Sequence, residues 1–396
     1  MMQLAKMRDK VVATTLMVLL PCVVMAQGKE PVRIGLLSSK SGVFAVQGEE
    51  VIRSIQFAVD EANAKGGVDG RKVEVQIADD ESTPEGGRRA AEKLARNGYP
   101  LLVGAIPSSI ALALGPNLDR WDALFVAVAA KSDKITGDSC KSRLFRTNHS
   151  DAMDVPMINE WAKSFKERTY ATFAADYVWG RDSSEAFTKA AKSLGREVKL
   201  SLFAPIGTKD FAPYIAQLKD AKVDGIWVAQ IGRDAIAFMK QAKEFGLVPN
   251  THVIGHSIVQ DFIIAGSGTA LEGVPGNTAY SAELDNPNNK AFVAAWKAKF
   301  NRGPTDNEGM AYVGAQVIFE GVRKSKSVNA GEVAKAMRGS TMDTVHGQVL
   351  MRSQDNQLML PNYIVRGKIV DGQLRPVLER SFPASIAPAA SPLCKM

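Results

Sequence analysis

The chain has 396 residues, 45% of them hydrophobic and 23% charged, with a formal net charge of +7. This is an ordinary soluble globular composition. Basic residues are dispersed, densest at Arg88-Arg89 and Arg323-Lys324 and without interleaved aromatics, so solvated helix faces account for them and no nucleic-acid partner is expected.

The chain opens with Lys6, Arg8 and Lys10 ahead of an apolar stretch from Val11 to Met25 that ends in Val24-Met25-Ala26. That order reads as a cleavable signal peptide over residues 1–26, with export to the periplasm. A spanning helix wants ~18–20 apolar residues, and this run is shorter and broken by Pro21. Pro21 also stands where lipid attachment at Cys22 would need a small residue, so plain cleavage is expected. Export makes the remaining pair, Cys140 and Cys394, a candidate disulfide. Closing a loop of ~250 residues would restrict the unfolded chain and pin the C-terminal tail. His149, His252, His256 and His346 show no paired spacing with one another or with cysteine, so no metal site and no cofactor are expected.

The remaining ~370 residues exceed one hydrophobic core, which predicts two lobes. Apolar runs of strand length then alternate with helix-period segments, the pattern of parallel sheets built from βαβ units. Strands are predicted at Val32–Leu37, Val73–Ala78, Leu101–Val103 and Ala123–Val128, with helices at Gln47–Ala64, Pro84–Arg96 and Ser108–Arg120 between them. The series restarts with a strand at Tyr170–Ala175, a helix at Gly180–Leu194 and a strand at Glu197–Phe203. A helix at Phe211–Ala221, a strand at Gly225–Ala229, a helix at Ala235–Phe245 and a strand at His252–Gly255 complete it. Two such series predict an α/β chain of two doubly wound, Rossmann-like lobes.

Several pieces carry a family likeness. Ser41-Gly42 follows the first strand and Gly48 opens the first helix. Glu61-Ala62-Asn63 leads to Gly66-Gly67 and Gly70-Arg71, and Asp79-Asp80 is followed by Pro84. The series continues through Asp210-Phe211, Leu218-Lys219, Gln241-Ala242 before Gly246-Leu247, Ala311-Tyr312 and the Val333–Met337 helix, to near Gly347. In this the chain resembles the periplasmic leucine/isoleucine/valine-binding proteins, the type I periplasmic binding proteins of ABC importers. The resemblance implies two discontinuous lobes joined by three crossover segments, here near His149, Tyr280 and Met351. The N-terminal lobe would hold 30–149 and 280–350, the C-terminal lobe 150–279 and 351–385, with 386–396 as a tail. It also implies a monomer that captures a small carboxylate or amino acid by lobe closure and hands it to a membrane permease.

Ligands of open α/β sheets sit beyond the carboxyl ends of the strands. The third strand ends in Gly104-Ala105-Ile106-Pro107-Ser108-Ser109, and hydroxyls at a helix start suit a carboxylate, with Ser108 first and Ser109 second; Ser108 also fits a simple cap. After the fourth strand the family sets an Ala backbone and a hydroxyl residue against the α-carboxylate; here the positions hold Ala129-Ala130-Lys131, and Lys131 either meets a ligand carboxylate or points to solvent. In the second lobe Trp179, just before Gly180, falls where the family has an aromatic wall. Gln230 past the Gly225–Ala229 strand, Gln47 at the mouth of the first helix, and Ser257 complete the candidates.

One departure bears on the ligand. Amino-acid binders of the family supply an acid after the strand at His252–Gly255 to hold the α-ammonium, and this chain reads Gly255-His256-Ser257-Ile258. Burying an ammonium without an anion is costly. A carboxylate lacking the amine, aromatic or aliphatic, therefore fits better, with Asp261 or Asp234 as the residues that would restore an amino-acid reading. An enzyme is not expected: there is no nucleophile elbow or P-loop, and Gly266-Ser267-Gly268 lacks the last glycine of a dinucleotide loop. A repressor would need a helix-turn-helix before the first strand. A receptor sensor would need a membrane span after the short Pro383–Met396 tail.

Overall fold

The computed structural model describes residues 29–396, so the expected signal peptide lies outside the described residues. In chain order the first region runs β1 (Val32–Ser38), α1 (Ala45–Ala64), β2 (Val73–Asp79), α2 (Pro84–Arg96), β3 (Leu101–Gly104), α3 (Ser108–Leu114), β4 (Leu124–Ala127) and β5 (Leu144–Arg146). The second runs α4 (Asp151–Ala162), β6 (Thr169–Ala175), α5 (Val178–Ser193), β7 (Glu197–Ala204) and α6 (Ala212–Asp220). It continues through β8 (Gly225–Ala229), α7 (Gly232–Glu244), β9 (His252–His256), α8 (Asp261–Ser267) and β10 (Pro275–Thr278). Then come α9 (Pro287–Phe300), α10 (Asp306–Ser325), α11 (Ala330–Met337), β11 (Thr341–Thr344), β12 (Gly347–Met351), β13 (Leu358–Met359), β14 (Asn362–Val370) and β15 (Gln373–Phe382).

Two main sheets organise two lobes. The first is a five-stranded parallel sheet in the order β2-β1-β3-β4-β5. The second has seven strands in the order β15-β14-β10-β9-β8-β6-β7, parallel from β10 to β7 and antiparallel at β14 and β15. Both show the alternation of a sheet covered on two faces. In the first lobe Ile34, Leu36, Leu101, Val103 and Val126 pack with Val313 and Ile318 of α10, whereas Leu37, Leu102 and Phe125 meet Leu94, Ile110 and Leu114 of α2 and α3. In the second, Phe173, Ile226 and Val228 face Phe211 and Phe238, whereas Tyr170, Trp227 and Ile254 face Met157, Trp161 and Phe187. No helix among the described residues is long and apolar enough to cross a membrane.

Three differences from the sequence reading have local causes. The helix predicted over Ser108–Arg120 ends at Leu114, and a single 3-10 turn follows at Gly115–Asn117, where Pro116 cannot continue the α ladder. The helix predicted from Gly180 begins at Val178, so Trp179 stands in its first turn rather than in a loop. The chain does not leave the first lobe at Met351: β12 pairs with β13 through Met351 and Leu358, and Gln357 bridges to Arg146 of β5. Arg146 Nε donates to Gln357 Oε1 at 2.6 Å, which keeps the segment after Met351 on the first lobe. The tail then runs back from the second lobe to a disulfide between Cys394 and Cys140, and Arg352 Nη1 donates to Pro388 O on the way at 2.8 Å.

Candidate functional site

The strands of both sheets end at a common cleft lined by residues of both lobes. Each strand end delivers lining residues within a few positions. Phe44 and Gln47 follow β1, Ile106 and Ser108 follow β3, and Ala129 and Lys131 follow β4. From the second lobe come Tyr177 and Trp179 after β6, Gln230 and Ile231 after β8, and Ser257 and Gln260 after β9. Asn307 and Met310, in the first turns of α10, close one side.

Several helix starts at the cleft lack a side-chain cap. Thr83, Ser150, Asn286, Thr305 and Asn329 cap α2, α4, α9, α10 and α11 with their side chains. At α1, α5 and α7 the capping positions are Phe44, Tyr177 and Ile231, which make no side-chain cap hydrogen bond. α6 also lacks one, but there Ala212 N donates to Asp210 Oδ1 at 2.9 Å. Five helices, α1, α3, α5, α7 and α8, thus start at the cleft without a side-chain cap, and their positive dipole ends favour a negative ligand, with Arg233 N of α7 already donating to Val43 O.

Ser108 is 1% exposed, and its Oγ accepts from the backbone N–H of both Lys131 and Ser132 at 3.1 Å. A serine hydroxyl has two lone pairs and one proton, so with both pairs engaged its O–H is left to donate. Lys131 neither reaches solvent nor stands alone: it is 5% exposed, and its Nζ lies 2.7 Å from Asp154 Oδ2 of α4, across the lobes. Asp154 also accepts from His256 Nε2 at 2.8 Å and Asn277 Nδ2 at 3.2 Å, and from Asn362 Nδ2. Burial alone would raise its carboxyl, but the Lys131 ammonium and the His256 N–H outweigh it and hold Asp154 well below the usual carboxylate range. Behind it Trp227 Nε1 donates to Ser183 Oγ at 3.0 Å, and Ser183 meets His256 Nδ1 at 2.5 Å. That order leaves His256 neutral with its proton on Nε2; burial pushes its pKa down to about 4. Asp151, Asp154 and His256 bring ligand-type atoms within 4.8 Å of one another. Lys131 already supplies the cation there, so the group reads as an ion-pair network rather than a metal centre.

The walls are aromatic and amide-bearing. Trp179 is 5% exposed and anchored by Nε1 donating to Asp151 Oδ1 at 3.0 Å, which leaves its ring for the cleft. Burial and neighbouring acids push the Asp151 carboxyl well above its ordinary range. Gln47, Gln230 and Gln260 are all buried, and Gln260 Nε2 donates to Asp306 Oδ2 at 2.5 Å across the lobes. The lobes are closed upon one another. Arg233 N donates to Val43 O at 3.3 Å, and Ser132 Oγ donates to Asp182 Oδ2.

Of the residues predicted from sequence, Gln47, Ser108, Ala129, Lys131, Trp179, Gln230 and Ser257 line this cleft. Ser109 is half-buried and does not. Neither acid that would restore an ammonium site is there: Asp234 accepts from Gly207 N at 2.7 Å, and Asp261 lines a separate cavity with Glu50 and Asp306. The sequence reading missed Phe44, Tyr177 and Gln260, which follow the same strand-end rule, and Asn307 and Met310, which do not.

The model of the periplasmic binding protein family matches residues 31–373. The leucine-, isoleucine-, valine-, threonine-, and alanine-binding protein of Pseudomonas aeruginosa is 27% identical over 325 residues, covering 81% of this chain and 85% of that protein. A solute-binding protein of an ABC transporter from Rhodopseudomonas palustris, solved in complex with 3,4-dihydroxybenzoic acid, is 27% identical with a TM-score of 0.82, over 90% of this chain and 98% of that one. A closed leucine-, isoleucine-, valine-, threonine-, and alanine-binding protein from Brucella ovis has a TM-score of 0.81 at 22% identity, over 92% and 99% of the two chains, a likeness of fold. The matched stretch takes in both lobes and the cleft between them, and the chain belongs to the periplasmic binding proteins of ABC transporters, as a type I member of the leucine/isoleucine/valine-binding kind.

Proposed function

We propose that this protein captures a small organic carboxylate without an α-ammonium, an aromatic acid foremost, by closing its lobes over it, and hands it to an ABC permease in the periplasm. The observation that carries this reading is the charge of the lining. Among the described residues no aspartate or glutamate faces the cleft, while the Ser108 hydroxyl and the uncapped helix starts favour an anion, and Lys131 lines the cleft with its ammonium held by Asp154. An α-ammonium closed into this site would find no anionic partner, since Asp154 is already spent on Lys131 and His256. The aromatic walls, Phe44, Tyr177 and Trp179, suit a flat ring. The 3,4-dihydroxybenzoic acid in the R. palustris relative supports the same class.

Uptake of branched-chain amino acids is the second reading, favoured by the name of the P. aeruginosa relative. The two separate in a thermal-shift screen of the mature protein, unfolded and refolded to strip bound ligand, against leucine, valine, benzoate and aliphatic monocarboxylates. Ligand at ~100 times its Kd should add about 2.7 kcal/mol and raise the midpoint by several degrees. A shift with benzoate but none with leucine is the expected result; a shift with leucine or valine alone would return the protein to amino-acid uptake.

A further inference from the structure

We infer that Ser82 is a positioning residue for the cleft: from the loop after β2 it holds the loop after β1 in the shape that presents Phe44 to the ligand and Val43 to the second lobe. This rests on the cleft being the ligand site, and not on the class of ligand.

The loop after β1 carries three contacts that matter to binding. Phe44 is buried and lines the cleft, Gln47 lines it from the first turn of α1, and Val43 O accepts from Arg233 N of the second lobe at 3.3 Å. The hydrogen bonds that shape this loop run away from the cleft, to residues 79–82. Lys40 N donates to Asp79 Oδ1 at 2.9 Å, Ser41 Oγ to Asp79 Oδ2 at 2.8 Å, and Ser39 Oγ to Asp80 Oδ1 at 2.6 Å. Ser82 Oγ then donates to Ser41 O at 2.7 Å and accepts from Phe44 N at 3.4 Å. That second bond falls on the residue that both forms a wall of the cleft and stands at the capping position of α1.

Aiming the Ser82 hydroxyl there has a backbone cost. Glu81 and Ser82 both lie in the left-handed region, at φ +56°, where side chains are rarely held unless their surroundings enforce it. The enforcement comes from the same two carboxylates that fasten the neighbouring loop: Glu81 N donates to Asp79 Oδ1 at 2.8 Å and Ser82 N to Asp80 Oδ1 at 2.9 Å. On the facing side Gly42, at φ +81°, lets the loops close up, since a Cβ there would lie 2.6 Å from Ser82 Oγ. The α2 helix does not need this serine. Its cap is Thr83, whose Oγ1 accepts from Gly86 N at 3.0 Å. Ser41-Gly42 and Asp79-Asp80, far apart in the chain, are thus two halves of one clamp, and Ser82 is its contact with the cleft wall. Without that contact the loop would present Phe44 correctly for only part of the time, and the apparent affinity would fall by the same fraction.

The test compares Ser82→Gly and Ser82→Ala with the unaltered mature protein, each stripped of bound ligand, by amide hydrogen exchange and by calorimetric titration with benzoate and with leucine. Glycine removes the hydroxyl and relieves the left-handed backbone, whereas alanine removes the hydroxyl and keeps that cost. In both variants exchange over residues 40–47 should quicken about fivefold or more while exchange in α2 stays as it was. Affinity for the probe that the unaltered protein binds should fall about fivefold in both, with the thermal midpoint of Ser82→Gly at or above that of Ser82→Ala. Exchange that quickens in α2 and not over residues 40–47, or affinity unchanged in both variants, would overturn the inference and leave Ser82 a residue of its own loop. A loss confined to Ser82→Gly would trace the effect to backbone freedom and overturn the role of the hydroxyl. The exchange comparison needs no ligand, so it decides the matter by itself where neither probe binds. Binding of leucine in place of benzoate would sink the ligand class proposed above and leave the loop comparison intact.

Discussion

The lobes meet through two buried polar regions that solve the problem of charge in opposite ways. Around Lys131 the ammonium comes from the first lobe and the Asp154 carboxylate from the second, and His256, Asn277 and Asn362 fill the remaining positions on the carboxylate. Around Glu50, acids from the two lobes confront each other: Glu50 and Asp306 from the first, Asp261 from the second. The cations there, Arg53 and Arg302, are held by Glu308 at 2.6 and 2.5 Å. Burial is the leading influence on each of these carboxyls, yet Asp154 stays ionised while Glu50 is pushed up to about 7 and Asp261 to about 6. Burial alone does not set a protonation state; the sign of what is buried alongside does.

The largest expected effect comes from breaking the paired region. Lys131→Met leaves Asp154 in a dry site facing no cation, which should cost about 3–5 kcal/mol of stability, read as a lowered midpoint in urea. Replacing both partners, Lys131→Met with Asp154→Leu, should recover much of that loss, because the penalty belongs to the uncompensated charge. If the single and double variants are equally stable, the pair is not what holds this region.

Next in size is the contact that lets the lobes close at all. Gly232 has φ +45°, and a Cβ there would lie 2.3 Å from Val43 O across the seam. Gly232→Val should therefore weaken the ligand found in the screen by about a hundredfold, since closure must give up about 2.7 kcal/mol of contact and strain. Small-angle scattering should show that the variant no longer contracts when ligand is added. Unchanged affinity would mean that the seam accommodates a side chain and that closure is gated elsewhere. A smaller loss, about tenfold, is expected for Ser108→Ala, which removes an O–H left free to donate at the cleft and the acceptor for the Lys131 and Ser132 amides.

The same contrast explains what could be read from the sequence. Strands buried on both faces are continuous apolar runs, and cleft-lining residues follow their ends, so Ser108, Ala129, Lys131, Trp179, Gln230 and Ser257 were accessible to a one-dimensional reading. Ser109 failed because one step along a helix turns a side chain by about 100°, away from the cleft that Ser108 faces. Met351 failed as a crossing because β13 is two residues long, too short to show a period. The partner of Lys131 was hidden for a different reason. Asp154 lies in the first turn of α4, and only the folded chain brings it to the ammonium. Charge pairing across a cleft is a three-dimensional fact even where each residue is placed correctly.

The confronted acids give the smallest effect and the one with a distinctive sign. A carboxyl whose folded pKa is raised stabilises the folded chain fully below its unfolded value, near 4.5 for Glu50, and that stability is lost as pH rises through about 7. Asp261 follows the same rule between 3.8 and about 6. Opening separates Asp261 from Glu50 and Asp306, so the closed, ligand-bound form holds its protons more tightly than the open one, and affinity should fall several-fold as pH rises from about 6 to 8. The buried His256, with its pKa pushed down to about 4, acts oppositely: its stability is present above 6.5 and lost as pH falls toward 4. Ligand affinity measured across pH 5.5 to 8 should thus decline on the alkaline side, and Asp261→Asn should flatten the decline by removing the second lobe's share of the repulsion. A decline that persists unchanged in Asp261→Asn would overturn the assignment of the pH response to the confrontation of acids from the two lobes.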